Sequence, residues 1–187
     1  MKRRMLLQTL TVAFPSALQR SPAAQPAHGD RGRPVSVEDL QKNWKTLLAD
    51  GADVAASAEP IERANAEWKK TLTPAQYEVL RQEGTERAGT SPLDREKRPG
   101  VFACAGCGLP LFTSAMKFDS GTGWPSFFTT IPGTLATKRD FKLIVPRTEY
   151  HCVRCGGHQG HVFNDGPQPT GLRYCNNGVA LRFIPKA

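Results

Sequence analysis

No apolar run in the 187 residues approaches the roughly 20 needed to cross a bilayer as a helix, so a soluble protein without a transmembrane span is expected. Cysteine is scarce and odd in number, at five, which argues against a simple disulfide framework. The formal net charge of +8 invites a polyanion partner, but little of it lies in the body of the chain. Residues 1–33 carry Lys2, Arg3, Arg4, Arg20, Arg31 and Arg33 against Asp30 alone; residues 34–187 hold 19 basic and 16 acidic side chains, a balance of only +3. Nucleic acid is therefore not an expected partner. What remains is adequate for one ordinary domain with terminal extensions: 39% apolar residues, with three Trp and nine Phe to build a core.

The first 27 residues resemble an export signal: a basic start, a short and mildly apolar stretch, then small residues at Ser21, Ala23, Ala24 and Ala27. Arg3-Arg4 ahead of this stretch resembles a twin-arginine signal, giving a periplasmic expectation; a cytoplasmic tail is the alternative. Cleavage could follow Ala23, Ala24 or Ala27. Residues 28–60 read as a linker with an N-terminal helix over 36–50, capped by Ser36 and carrying Val37, Leu40, Trp44, Leu47 and Leu48 at helical spacing. Ile61, Ala64, Trp68 and Leu72 mark a second helix. A third begins at Thr73-Pro-Ala-Gln76, a cap residue with proline at the first helical position and glutamine closing a capping box; Gly84 is its expected stop. From Pro99 the texture changes to short runs of Val, Phe, Ile and Leu at 101–103, 109–112, 141–145 and 179–184, punctuated by Gly, Pro and Asp. Residues 61–187 are thus expected to be a mainly β domain of antiparallel strands, with helices packed from its N-terminal side.

Cys104-Ala-Gly-Cys107-Gly108 and Cys152-Val-Arg-Cys155-Gly156 are matched C-x-x-C turns, each with a trailing glycine that lets the backbone fold back towards the sulfurs. Two such turns can supply four thiolates to one closed tetrahedral site, the pattern of structural zinc, one ion per chain. The alternatives are two disulfides or redox-active pairs. Forty-four residues separate Cys107 from Cys152, too many for a compact zinc ribbon. The intervening chain can hold strands and a pocket.

Cys175 is left over. A lone cysteine is often an inert core residue, but Arg173 precedes it by two, on the same face of a strand, and a nearby cation favours thiolate. Asn176, Asn177 and Gly178 interrupt an otherwise apolar strand at this point. Two more features carry chemistry: His158-Gln-Gly-His161, and the glycine-flanked aromatic turn Gly121-Thr-Gly-Trp124-Pro-Ser-Phe127-Phe128. Taken singly, the histidines could be satisfied structural residues and the aromatics ordinary core.

Together these segments resemble the methionine-(R)-sulfoxide reductases of B type. The resemblance rests on Glu67-Trp-Lys-Lys-Thr-Leu-Thr-Pro-Ala-Gln-Tyr77, Leu80-Arg-Gln-Glu-Gly-Thr-Glu86, Phe118-Asp-Ser-Gly-Thr-Gly-Trp-Pro-Ser-Phe127, Gly160-His-Val-Phe-Asn-Asp-Gly-Pro167 and Arg173-Tyr-Cys175, in order, with both zinc knuckles in place. It implies a zinc-tied, β-tent-like fold of antiparallel sheets, with the active site away from the metal held by Cys104, Cys107, Cys152 and Cys155. It also implies roles. Cys175 corresponds to the nucleophile that reduces the R epimer of methionine sulfoxide in oxidised proteins; Trp124 would pack against the sulfoxide methyl; His158, His161 and Asn177 would line the polar side; Arg173 would support the thiolate. The oxygen would leave on Cys175 as a sulfenic acid.

The chain departs from the family at two places. Many relatives carry a recycling cysteine in the glycine-rich turn, where this chain has Thr122, so an external reductant is expected: a thioredoxin-like protein or a small thiol. Asn176-Asn177-Gly178 stands where relatives often have an aliphatic residue, asparagine and serine. Two rival functions are a non-catalytic zinc module, which predicts a basic surface and a dispensable Cys175, and a metal-dependent hydrolase built on His158 and His161, which predicts two metals per chain.

Overall fold

The computed structural model describes residues 36–141 and 145–186. The proposed export signal, residues 1–27, lies outside the described residues. The helices that open the described chain are short, and their limits follow from local chemistry. Helix α1, Val37–Lys42, starts at Ser36, whose hydroxyl accepts from Asp39 N–H while the Asp39 carboxylate returns a bond to Ser36. The helix expected over 36–50 tightens after Lys42 into a 3-10 turn, Asn43–Leu47. Helix α2 is Asn65–Thr71, later than the apolar spacing from Ile61 suggests. Helix α3, Pro74–Gln82, carries the expected capping box between Thr73 and Gln76. Its left-handed stop is Glu83, at φ 57°, and Gly84 then closes the turn by donating to Glu78 O.

Nine strands follow: β1 Gly100–Cys104, β2 Pro110–Thr113, β3 Lys117–Phe118, β4 Ser126–Phe127, β5 Leu135–Asp140, β6 Arg147–Cys152, β7 His158–Phe163, β8 Arg173–Asn176 and β9 Leu181–Pro185. Among the described residues they form two antiparallel sheets, one in the order β2-β1-β9 and one in the order β3-β4-β8-β7-β6-β5. The expected mainly β fold with N-terminal helices is the one observed. Of the run expected as a strand at 141–145, residues 142–144 lie outside the described residues, while Phe141 and Val145 lie in no strand and are 72% and 73% exposed. The strands there are the flanking, more polar segments β5 and β6, of which β6 turns Tyr150 and Cys152 into the core.

The sheets join through aromatic packing. Phe112 of β2 stacks on Phe127 of β4 with ring centroids 4.0 Å apart, and Phe102 of β1 meets Phe127 edge-on at 5.1 Å. Tyr150 of β6 and Tyr174 of β8 extend the cluster at 5.3 Å. Residues 40–61 are docked as well. Leu40, Trp44, Ala55, Ala58 and Ile61 pack against the core; Ala55 N–H donates to Gly108 O, and Ile61 N–H to Arg154 O. Arg154 in turn donates to the carbonyls of Ser57 and Glu59. This segment therefore contacts both cysteine knuckles.

Candidate active site and metal centre

The two knuckles sit at the ends of β1 and β6, one from each sheet. In each, the glycine after the second cysteine takes a left-handed φ, 72° at Gly108 and 66° at Gly156. Their N–H groups donate to the carbonyls of Cys104 and Cys152, closing the turns, rather than to the sulfurs. Gly157 N–H is the backbone donor that reaches the Cys155 sulfur. The four sulfurs lie within 4.8 Å of one another, with Cys104 and Cys155 Sγ 3.6 Å apart and Cys107 and Cys152 Sγ 3.5 Å apart. A disulfide needs about 2.05 Å, so the cysteines are free thiols gathered as a metal site would gather them.

Cys175 stands apart, on β8. Its strand register places it opposite His161 of β7 on one side and Ser126 of β4 on the other. The close approach of β8 depends on Gly160, because a Cβ there would collide with the Cys175 carbonyl. The thiol opens onto a pocket of about 110 Å³ lined by Thr85, Trp124, Arg147, His161, Phe163 and Asn177, among others. A larger groove of about 950 Å³ shares the glycine turn at Gly121 and Gly123 but contains no cysteine or histidine.

Each polar wall of the small pocket is held from behind. His161 Nε2 is 2.7 Å from Asp140 Oδ2, and Arg147 Nη2 lies 2.7 Å from the same oxygen. Burial holds His161 below the ordinary histidine value, opposed by Asp140 and reinforced by the charges of Arg147 and His158. Burial also pushes the Cys175 thiol up, while Arg173 and Thr122 pull it down. Both shifts favour the uncharged form, a thiol beside a neutral imidazole. Arg173 does not reverse this, because its guanidinium is engaged by Asp165 at 2.9 and 2.8 Å and the carboxylate offsets its charge.

Asn177 is fixed at both ends: its amide donates to Gln159 O at 3.0 Å, and its Oδ1 accepts from Glu86 N–H at 3.0 Å. Trp124 Nε1 donates to Glu86 O at 3.1 Å. The Glu86 carboxylate accepts from the N–H groups of Gly178 and Val179. Glu86 thus ties the aromatic turn to the turn after Cys175, and burial raises its carboxyl above the usual range against the pull of those two N–H groups.

The SelR domain family matches residues 72–185. Peptide methionine sulfoxide reductase B1, chloroplastic, of Arabidopsis thaliana is 46% identical over 153 residues, covering 81% of this chain and 76% of that protein. Peptide methionine sulfoxide reductase MsrB of Leptospira interrogans is 49% identical over 66% of this chain and 95% of its own length, and that of Methanosarcina barkeri 53% identical over 66% and 87%. The chain belongs to the B-type peptide methionine sulfoxide reductases.

Within this reductase the structure gathers four of the six expected site residues around one thiol: Cys175 itself, Trp124, His161 and Asn177. His158 is placed otherwise. It is 2% exposed, with Nδ1 2.9 Å from Glu149 Oε1, and meets His161 ring edge to face at 5.5 Å, behind the pocket rather than on its wall. Arg173 is on the strand face of Cys175 but outside the pocket lining. Sequence reasoning missed Asp140, Arg147, Glu86 and Thr85. Thr85 and Glu86 fall inside a quoted motif, so a signal was present; Asp140 and Arg147 carried none.

The departure at Asn176-Asn177-Gly178 has a structural counterpart. Asn176 is fully buried, its Oδ1 accepting from Tyr150 OH at 2.8 Å and its amide donating to Gln159 Oε1 at 3.3 Å. Gln159 Nε2 continues to Cys104 Sγ at 3.3 Å. At Gly178 a Cβ would collide with Ser91 Oγ, so the hydroxyl of Ser91 occupies the space a larger residue would need.

Proposed function

We propose that this chain reduces the R epimer of methionine sulfoxide in oxidised proteins, with Cys175 as nucleophile, and needs an external thiol for each turnover. The observation that carries this reading is the segregation of cysteines: four converge on one cluster, and Cys175 alone opens onto a pocket bounded by Trp124, His161 and Asn177. At about 110 Å³ the pocket is smaller than the roughly 300 Å³ and above of ordinary small-molecule sites, which suits the end of a side chain presented by another protein.

The Cys175 sulfur attacks the sulfoxide sulfur while a proton reaches the departing oxygen. The neutral resting pair is complete for this exchange. The thiol proton passes to His161 as the thiolate forms, then to the sulfoxide oxygen as the S–O bond breaks. With Nε2 directed to Asp140, Nδ1 is the nitrogen that handles this proton. The departing hydroxyl then bonds to the Cys175 sulfur as the transient S–S bond breaks and its electron pair returns to the methionine sulfur, so the products are methionine and a Cys175 sulfenic acid; two external thiols then return Cys175 to the thiol and release a disulfide and water. Trp124 bounds the methyl side, Asn177 the polar side, and this division selects one epimer. His158 orients His161 from behind, and Arg173 tempers the cost of the thiolate.

The four-cysteine cluster suits one structural zinc. A tetrahedron with Zn–S bonds of about 2.3 Å has sulfur–sulfur edges of about 3.8 Å, near the 3.5 and 3.6 Å observed. Bound there, the ion ties the β1–β2 turn to the β6–β7 turn and leaves no open position for chemistry. The reductant is a thioredoxin-like protein or a small thiol. The leader-like residues 1–27 support export to the periplasm. The deciding experiment is turnover of both sulfoxide epimers with excess dithiothreitol by the wild type and Cys175→Ser. R-epimer turnover lost in the variant is expected; a wild type inactive on the R epimer, or a variant that retains turnover, would overturn the reading.

A further inference from the structure

A row of buried polar side chains runs from beside the pocket to the cysteine cluster. Tyr150 OH of β6 donates to Asn176 Oδ1 of β8 at 2.8 Å, Asn176 Nδ2 donates to Gln159 Oε1 of β7 at 3.3 Å, and Gln159 Nε2 donates to Cys104 Sγ at 3.3 Å. Cys104 ends β1, so the row starts in the larger sheet and finishes in the smaller one. Gln159 and Asn176 are both fully buried. Together they hold Asn177 of the pocket: its N–H and its side-chain amide both donate to Gln159 O, at 2.8 and 3.0 Å, and its carbonyl accepts from Asn176 Nδ2 at 2.9 Å. Asn176 N–H also reaches the aromatic turn, donating at 2.9 Å to the carbonyl of Pro125, the residue after Trp124.

Every donor in the row points towards the cluster. A metal-bound cysteine sulfur carries no proton and can only accept. Gln159 must then present Nε2 to Cys104 and Oε1 to Asn176, and Asn176 must present Nδ2 to that oxygen and keep Oδ1 for Tyr150. One acceptor at the cluster thus sets the orientation of both amides. Two buried amides carry a desolvation cost that apolar side chains would avoid, and Asn176 stands where relatives often have an aliphatic residue. What the polar pair adds over an apolar one is a directed connection between two sites.

We propose that Gln159 and Asn176 are positioning residues of the reductase: a buried strut through which the cysteine cluster orients Asn177 at the pocket. This rests on the reading of Cys175 as nucleophile and of the cluster as a zinc site. Gln159 serves both ends. Its side chain donates to a cluster sulfur, and its main chain holds Asn177. Removing an outer partner of this kind from a metal ligand typically costs about 10–100-fold in metal affinity or activity. A disturbance at one end reaches the other, because a turned Gln159 amide deprives Cys104 and Asn176 of a partner together.

The test reads each end of the strut from the other, in the folded and metal-loaded protein. Cobalt in place of zinc gives a thiolate-to-metal charge-transfer absorption, whose energy a hydrogen bond to the sulfur raises. Gln159→Leu deletes that bond, so the band should move to longer wavelength, and R-epimer kcat/KM of the zinc protein should fall about tenfold. Asn176→Leu, which does not touch the cluster, should move the band the same way by a smaller amount, because the Gln159 amide loses its second anchor. In the other direction, exchanging zinc for the larger cadmium ion should shift the NMR signals of the Asn177 side-chain amide in the wild type, and that shift should be lost in Gln159→Leu. Thr73→Ala, which lowers stability by uncapping α3, should leave the band and the cadmium shift as they are. Where Gln159→Leu fails to fold, the band in Asn176→Leu decides. A band unmoved in Asn176→Leu, or moved as far in Thr73→Ala, overturns the strut, and so does a cadmium shift that survives in Gln159→Leu. Failure of the underlying readings shows differently: R-epimer turnover would survive in Cys175→Ser, or the wild type would bind neither zinc nor cobalt.

Discussion

Replacing Glu86 by alanine removes a carboxylate that touches neither Cys175 nor the pocket, yet should damage both stability and turnover. The carboxylate accepts from Gly178 and Val179 N–H, the latter at 3.0 Å, and both donors are screened from solvent by the turn they close. A hydrogen bond to a charged acceptor contributes about 1.5–3 kcal/mol, and a half-buried site takes the lower figure for each, so the loss is about 3 kcal/mol. For a folded unit of this size that corresponds to roughly 6–12 °C in Tm. The second effect is positional. Glu86 N–H and C=O hold Asn177 and Trp124 at 3.0 and 3.1 Å. Once the side chain no longer anchors this backbone, both walls of the pocket shift together, and misplacement on the ångström scale costs up to about 100-fold in rate. Thermal melts by circular dichroism and R-epimer turnover well below Tm measure the two separately.

Glu86→Gln sharpens the test. It retains one acceptor but sets an amide NH₂ against the other donor, so about half the stability loss is expected. It also removes a pH dependence with a defined sign. Burial raises the Glu86 carboxyl in the folded state. Between the unfolded and folded values the native protein therefore holds a proton that the unfolded chain has released, and the contribution of Glu86 declines as pH rises through that window. The glutamine variant would lack this slope. An alanine variant within about 2 °C and twofold of the wild type would refute the clamp.

Asp140→Asn should lower the His161 value further, because the Asp140 hydrogen bond opposes the effect of burial; since the proposed exchange starts from a neutral His161, the acid limb of kcat/KM should move to lower pH, read from a pH–rate profile. Burial of His161 also gives an acid liability: its contribution to stability is complete above the unfolded value of about 6.5 and is lost as pH falls through the folded value, a slope absent from His161→Asn in pH-dependent denaturant melts. Removal of metal by a chelator, or Cys104→Ala, should unfold the β1–β2 and β6–β7 turns together and abolish the cooperative melt, with one zinc per chain by elemental analysis of the intact protein. Arg154→Ala, which releases the carbonyls of Ser57 and Glu59, should cost about 1–2 kcal/mol in denaturant melts and leave the turnover of the folded protein unchanged.

What could be read from the sequence was what is encoded locally. Thr73 and Gln76 specify the start of α3 within four residues, and the two knuckles specify their own turns within five, so both were legible. The strands β5 and β6 were not. Their exposed positions carry Lys138 and Arg139, while Phe141 and Val145, apolar residues between the two strands, sit exposed as well. The pocket followed the same division. Cys175, Trp124, His161 and Asn177 announce themselves by type and motif, whereas Asp140 acquires its meaning only because β5, β6 and β7 bring it to His161. His158 shows the limit of motif spacing in the other direction. The family resemblance implied a place for it on the polar side of the pocket, but on a strand a separation of three sends side chains to opposite faces, and the register shifts between Tyr150 and His151 where the two rings meet.

The organisation of charge around Cys175 follows from the reaction it is proposed to perform. A permanently anionic thiolate would be open to oxidation between turnovers, and the reduction consumes one proton for every sulfoxide oxygen removed. A neutral thiol beside a neutral imidazole meets both constraints, since the proton leaves the sulfur only when an acceptor oxygen is in place. Every cation near the site is accordingly matched by a carboxylate, Arg173 by Asp165 and Arg147 by Asp140.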